Sequence, residues 1–586
     1  MVARGQLVLA FSALLALAPP VGGLNAPTAA SEPELPTGAS ALHMSLVGSL
    51  ALPGGVHGDV WVQGDYAYVG TWRQPSCPGT GVKIVDVSNP AVPARAGTLA
   101  QHNGTSQEVM RVIHVASPAF TGDLLAVGLQ ICGDGGLAGV EFWDVSNPRQ
   151  PDRLGFFATP GTQGVHELAL VQRPSDGRVL ALLAVPNSEL SGAGGDFRIV
   201  DATDPRNPAQ LAQWGVKEQL GLSLPGGQGQ SPMIFDHSVR ANADGTRAYL
   251  SYWDAGFIIL DIADPSHPTF LGKTSYQPDE EGNAHSVALA QGERLLLGAD
   301  EDFDASVPGL LINAPPALTG KIEMAQGRVS KRLSETGPVS GDLVYLGRAC
   351  PDGDPNANTG VPGGDPLLAD PSGKIALLDR GACFFALKLA RAAQAGAIGA
   401  VVLNNQDGAP IAMGGPSNLP QPAIPAVMIR QDDGARIKAA LASGTTVNVT
   451  LSDKIISAYN DWGYLRLFDI SNPANPVQIS RFGTAHAFTD RANGPPDDGI
   501  YSAHNPIVDG NLVFASWYSD GVRAIDISDP ANPREVGYFV PPDTPTLSPE
   551  LPTKRPMVWG VAEQNGLLFL SDMNYGLWIV RFTPGG

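Results

Sequence analysis

Charge is scarce in this 586-residue chain. Only 16% of residues are charged, and 37 lysines and arginines face 57 acidic residues, for a net charge of −20. A surface so short of cations is a poor match for nucleic acid or anionic membrane. Catalytic signatures are missing too. His166-Glu167 continues into Leu168, Ala169 and Leu170 rather than HExxH, and there is no GxSxG elbow, phosphate loop or dinucleotide fingerprint. No catalytic residue is assigned from sequence. Cysteine occurs four times, without a CxxC pair. The one long apolar run, Leu7 to Ala18, is too short for a typical membrane span. With Arg4 ahead of it and Pro19-Pro20 behind, it reads as a secretory signal over 1–23, followed by a Pro-, Ala- and Ser-rich leader over 24–41. This predicts a secreted, extracellular or cell-envelope protein with no membrane span. Glycine and proline are abundant, 69 and 51, as in loop-rich β proteins.

What is present is repetition. One phrase recurs as GVKIVDVSNPAVP from Gly81, GVEFWDVSNPRQP from Gly139, DFRIVDATDPRNP from Asp196, GFIILDIADPSHP from Gly256, YLRLFDISNPANP from Tyr464 and GVRAIDISDPANP from Gly521. A shortened seventh, GLWIVRFTP, begins at Gly576. The phrase's aspartate falls at Asp86, Asp144, Asp201, Asp261, Asp469 and Asp526, with Arg581 in the last place. Each step is 55 to 60 residues except the 208 between Asp261 and Asp469, so a repeat architecture carries one insertion. Each repeat holds four strand-like pieces, in the first copy near 57–63, 66–72, 81–87 and 93–100. The Asp-x-Ser-Asn-Pro tail is a turn device, since its side chains bond nearby backbone N–H groups and proline blocks further pairing.

Seven four-strand units with few helical patterns predict a mainly β fold, a seven-bladed β-propeller. The seventh repeat stops after its third strand, and LHMSLVGSLAL (42–52) precedes the first. Pairing that strand onto the last blade closes the ring and leaves no exposed edge. The IVD runs at 84–86 and 199–201 and ILD at 259–261 resemble bacterial LVIVD-repeat proteins over 42–305 and 458–583. That resemblance implies a fold and little about function.

The propeller is expected over 42–305 and 458–586, with the insertion, 306–457, between strands two and three of blade five. Its core reads GKIALLDRGACFFALKLARAAQAGAIGAVVLNNQDG (373–408), then IPAVMIRQDDGARIKAAL (424–441). Strand, apolar-spaced helix ending at Gly396, two further strands and a short helix make an α/β module. Asp379-Arg380-Gly381, Cys383-Phe384, the Ala-Gly-Ala helix end and Ile424-Pro425 resemble a protease-associated (PA) domain over about 340–452. The resemblance implies a non-catalytic lid or a surface for proteins and peptides, and a bridge between Cys350 and Cys383. Cys77 and Cys132 lie in equivalent loops of neighbouring blades, which suits a second bridge; metal ligation is the weaker alternative.

Aligned on strand one, His57, His166, His237, His285 and His504 open that strand, with Met110 in blade two and Trp559 or Gly560 in blade seven. First strands line a propeller's channel, so these imidazoles gather at one mouth, where copper or zinc could bind. The competing reading is structural: a repeated histidine bonds the neighbouring blade's carbonyl, and repetition favours it. The loops after strand two open on the same mouth and supply candidate ligand-binding residues Trp72, Trp253, Asp254, Asp300, Asp302, Asp461, Trp517, Asp520 and Asp572. The competing reading makes these a turn formula. The Asp300–Asp304 run could hold calcium but lacks EF-hand spacing. Two functions remain: non-catalytic binding of a protein, peptide or glycan at the mouth beneath the PA domain, or a metal-dependent (copper or zinc) extracellular enzyme. Binding is favoured, because no nucleophile or general base stands out from the repeat background.

Overall fold

The computed structural model describes residues 35–586 apart from 73–76, 78, 223–232, 277–281, 303–305, 353–363, 409, 417, 420, 457–462, 490–497, 545–550, 552 and 586. The expected signal, most of the leader, Asp304 and Asp461 lie outside the described residues.

Seven antiparallel four-stranded blades form the bulk of the chain. Blade one runs His57–Gln63, Tyr66–Thr71, Val82–Asp86 and Ala94–Leu99. The inner strands of consecutive blades pack side by side, and His57–Gln63 meets Val558–Gln564 of blade seven to complete the circle. Closure follows the expected route. Met44–Ala51 pairs antiparallel with Gly576–Phe582 as the outer strand of blade seven. Ser40–Leu42 adds to Arg534–Val540 of blade six as well, a second tie that the repeat pattern does not reveal.

The third strand of each blade is almost wholly buried, which is why its residues are apolar. The repeated aspartate has one job in every copy. Oδ1 of Asp86, Asp144, Asp201, Asp261, Asp469 and Asp526 accepts the backbone N–H two residues on. These are Asx turns that end the strand.

One buried cation in this layer makes stability depend on pH. Lys83 is enclosed in blade one; its Nζ donates to the hydroxyl of Thr71 and, at 3.1 Å, to that of Thr80. Burial, with some repulsion from Arg95, pushes it down to about 7. The folded state therefore sheds this proton near neutrality, whereas the unfolded chain holds it to about pH 10.4. Between those limits the unfolded state binds more protons, so stability rises with pH. Lys83→Met is expected to remove a gain of about 2 kcal/mol between pH 7 and 9, read from urea midpoints of both proteins. Equal pH slopes would rule the effect out.

The insertion leaves blade five between Leu295–Asp300 and Leu465–Asp469, which pair with each other as if nothing intervened. It forms its own eight-stranded mixed sheet from Ser306–Ala314 to Asn448–Ile456. Ile375–Asp379, Gly399–Leu403 and Ala426–Ile429 are its parallel centre, flanked by helices Phe385–Gln394 and Gln431–Ala442. The entering and leaving strands pair along their length, so the guest is joined at its base by one β ribbon. Cys350–Cys383 and Cys77–Cys132 are both disulfides. The metal alternative for these cysteines is thereby set aside, because both thiol pairs are consumed. Among the described residues no helix is long and apolar enough to cross a membrane.

Candidate functional site

Strand pairing defines which residue of each blade stands at the channel mouth. Val60, Met110, Leu168, Val239, Val287, Pro506 and Val561 are equivalent, each opposite the same point of strand two. Two residues earlier lie Gly58, Glu108, His166, His237, His285, His504 and Trp559. The sequence alignment was thus one residue off at His57 and two off at Met110. His57 pairs with Thr71 and its Nε2 bonds the Leu52 carbonyl at 2.8 Å, in the seam between first and last blades. Burial, with Lys83 nearby, pushes it down to about 3. Met110 belongs to the core between blades one and two. Gly58 holds the mouth position in blade one because a Cβ there would come within 2.9 Å of the Glu108 carbonyl oxygen.

The remaining four histidines form a continuous arc over blades three to six. Ring centroids are 4.3 Å apart for His166–His237, 4.1 Å for His237–His285 and 4.1 Å for His285–His504, and Trp559 extends the arc 4.2 Å beyond His504. His237 Nδ1 lies 3.1 Å from the His285 carbonyl. The His285 ring faces the His504 carbonyl, and the His504 ring that of Trp559. Blade-to-blade anchoring, the structural reading of these histidines, is made as a hydrogen bond by His237, while Nδ1 of His285 and of His504 is buried without one. His166, His237 and His285 also line the cavity at the mouth. Burial, then repulsion among the imidazoles, holds His237, His285 and His504 well below the usual histidine range, so they are neutral at pH 7.

Two carboxylates adjoin the arc. Glu108 Oε2 lies 3.3 Å from His166 Nδ1. Glu301, the first residue beyond strand two of blade five, places Oε2 3.8 Å from His285 Nε2 and Oε1 3.8 Å from His504 Nε2. The Tyr518 hydroxyl donates to Glu301. Burial raises this carboxyl to about 7, against the Tyr518 bond, which lowers it. Above the arc is a cavity of about 460 Å³ walled by Trp72, Phe235, Trp253, Tyr518, Trp559 and Met557, among others. All its lining residues belong to the propeller.

The rim candidates separate into two groups. Trp72 and Trp253 line the cavity. The other described candidates do structural work. Asp254 accepts the Met233 and Asn283 N–H groups. Asp520 accepts from Arg523 at 2.9 Å and His486 at 2.8 Å. Asp572 accepts the N–H groups of Met557 and Asn574 and the indole of Trp578. Trp517 is core between blades five and six, its indole bonded to the Tyr501 carbonyl. Asp302 is buried, its N–H donating to Ser502. In the run read as a calcium candidate, Arg466 and the Tyr276 hydroxyl take the two Asp300 oxygens, and Asp304 lies outside the described residues. Phe235, Glu108, Met557 and Met573 were missed. Phe235, two residues before His237 and stacked on Trp253 at 5.3 Å, had adjacency as its signal. The methionines had none.

The family models agree with this architecture. The PA-domain family model matches 339–437, and the LVIVD-repeat model matches 54–100, 243–275, 458–484 and 503–540. The C5a peptidase of Streptococcus pyogenes is 28% identical over 214 residues, 32% of this chain and 18% of that one. Vacuolar-sorting receptor 1 of Pisum sativum is 31% identical over 176 residues, 28% of this chain and 27% of the receptor. This chain thus spans under a third of either relative's length. Among solved structures, an aminopeptidase from Aneurinibacillus sp. strain AM-1 shares 24% identity over 30% of this chain and 36% of its own, with a TM-score of 0.19. The class is a closed β-propeller with an α/β guest domain in one blade. More specifically, it is a seven-bladed propeller with LVIVD repeats in four segments and a PA domain in blade five.

Proposed function

We propose that this chain is an extracellular binding protein whose propeller mouth takes a compact apolar group of a peptide or protein ligand. The observation that carries the reading is the aromatic-walled cavity of about 460 Å³ above the imidazole arc. That size suits one or two side chains, and aromatic walls with a few polar groups at the base are the usual make-up of a ligand pocket. Glu301 belongs both to the cavity wall and to the segment that leads into the PA domain, so the guest domain departs from the site's edge. The names of the two relatives, a peptidase and a sorting receptor, fit a polypeptide ligand. Two disulfides fit an oxidising compartment.

Terminally blocked peptides with aromatic or aliphatic side chains, titrated against intrinsic tryptophan fluorescence, test the reading. Trp253→Ala is expected to weaken binding by about thirtyfold or more, as for a buried aromatic hot spot of about 2 kcal/mol. Unchanged affinity in both Trp253→Ala and Phe235→Ala would place binding elsewhere. A second reading, metal-dependent chemistry in the same cavity, is favoured by the grouping of His237, His285 and Glu301.

A further inference from the structure

Four of the seven mouth positions are histidine, and the other three hold Gly58, Glu108 and Trp559. Blades therefore close without an imidazole at this position, and blade packing alone does not account for four consecutive ones. Their protonation pattern can be read from their partners. His237 Nδ1 faces the His285 carbonyl oxygen at 3.1 Å, which can only accept, so Nδ1 carries the proton and Nε2 the lone pair. His166 Nδ1 faces Glu108 Oε2 and Gln130 Oε1, each at 3.3 Å. It too is the protonated nitrogen. Yet His166 Nε2 and His237 Nε2 lie 2.9 Å apart. Two imidazole lone pairs aimed at each other at that distance repel, so the pair is held together either by a proton shared between the nitrogens or by a metal ion beside them.

The spacing suits a metal ion. Two nitrogens about 2.0–2.1 Å from one ion stand roughly 2.9 Å apart at the right angles of a tetragonal copper(II) site and about 3.3 Å apart at zinc's tetrahedral angle. The ligand atoms of His237, His285 and Glu301 all fall within 4.8 Å of one another. The two gaps of 3.8 Å from Glu301 to His285 and His504 are too long for hydrogen bonds. They are within the roughly 4 Å that two ligands about 2 Å from a shared ion can span. His504 Nε2 is buried and has no hydrogen-bond partner. Outer-shell support is in place: a backbone carbonyl orients His237, Glu108 orients His166, and the Tyr518 hydroxyl orients Glu301.

We propose that His237, His285 and Glu301, with His166 and His504 flanking, bind a divalent first-row transition ion on the cavity floor. Imidazole and carboxylate donors select zinc or copper over calcium or magnesium. The cavity above leaves one side of the ion open to a ligand, the arrangement of a reactive or ligand-anchoring site rather than a closed structural one. The proposal does not depend on a peptide filling the cavity.

The test uses the full chain, stripped with chelator and titrated with cobalt(II), then zinc(II). One equivalent of cobalt with visible d–d bands, displaced by zinc, and a melting temperature raised by zinc are expected. His237→Ala and Glu301→Gln should each weaken zinc binding by at least about a hundredfold, beyond the 10–100-fold cost of losing an outer-shell partner. His57→Ala should leave zinc affinity unchanged, since that side chain lies in the seam. Should His237→Ala fail to fold, Glu301→Gln and the zinc-dependent melt of the unaltered chain decide the matter. Absence of cobalt bands and of any zinc effect on melting would overturn the proposal and leave a shared proton between His166 and His237. Cobalt bound equally well by Glu301→Gln and His237→Ala would overturn it too, placing the ion elsewhere.

Discussion

A chain lacking residues 35–52 is expected to lose its cooperative fold. Met44–Ala51 supplies the fourth strand of blade seven, paired from Met44↔Phe582 to Ala51↔Gly576. Met44 and Leu52 are buried, and Leu46, Val47 and Leu50 pack on the cores of the last and first blades. At about 1.5–3 kcal/mol for each fully buried side chain, and less for the partly buried three, the loss is on the order of 5–10 kcal/mol. That rivals the whole stability of a typical domain, about 5–15 kcal/mol. Removal also bares the edge of Gly576–Phe582, a template for intermolecular pairing. Circular dichroism melts and sedimentation velocity read the result: aggregation, or a broad transition at much lower temperature. A truncated chain that stays monomeric and melts within a few degrees of the parent would show that the seam contributes little.

The second large effect lies deeper in the channel. Beneath the imidazole arc, Glu167 accepts from Arg111 at 3.4 Å and from Arg240 at 3.3 Å, and Arg111 also donates to Asp59 at 2.7 Å. The network links the inner strands of blades one, two, three and four. Arg111 and Glu167 side chains are only 7% and 3% exposed, so solvent cannot replace a lost partner. Glu167→Ala leaves two guanidinium groups short of a counter-charge, and the expected cost is about 3–5 kcal/mol. Glu167→Leu with Arg240→Met should recover part of that loss, because Arg111 keeps Asp59 as its counter-charge while the cation left unpaired is removed. Urea denaturation of the single and double variants measures both. A loss under about 1 kcal/mol would mark the network as solvated, like a surface ion pair.

Much of this molecule was legible in advance, for identifiable reasons. Blade number follows from counting a phrase whose aspartate makes the same Asx turn in six copies. The insertion follows from one long step, and the ring's closure from a missing fourth strand in the last repeat and a spare one before the first. The mouth was less legible. At Ala284/Ser286 and Val558/Gly560 the pairing slips, leaving His285 and Trp559 as extra residues, whereas in blade one the slip falls between His57 and Val60. A one-residue slip turns a side chain to the other face of a strand. His57 therefore matches its neighbours by eye and still points into the seam.

The rim aspartates show the same limit from another side. Asp254, Asp520 and Asp572 recur at loops around the mouth, yet each carboxylate is spent on a nearby N–H or cation. Which oxygen meets a partner depends on atoms brought in from other segments, as when Arg466, past the whole insertion, reaches Asp300.

The order of residues by itself determined the seven-fold repeat, the guest domain and its place in blade five, because periodicity and hydrophobic pattern are local and survive without coordinates. Only tertiary structure decided that His166, His237, His285 and His504 form one arc with Glu301 beside it. That grouping depends on bulges and on packing between blades, which set direction and distance to within an ångström, and no spacing along a chain encodes them.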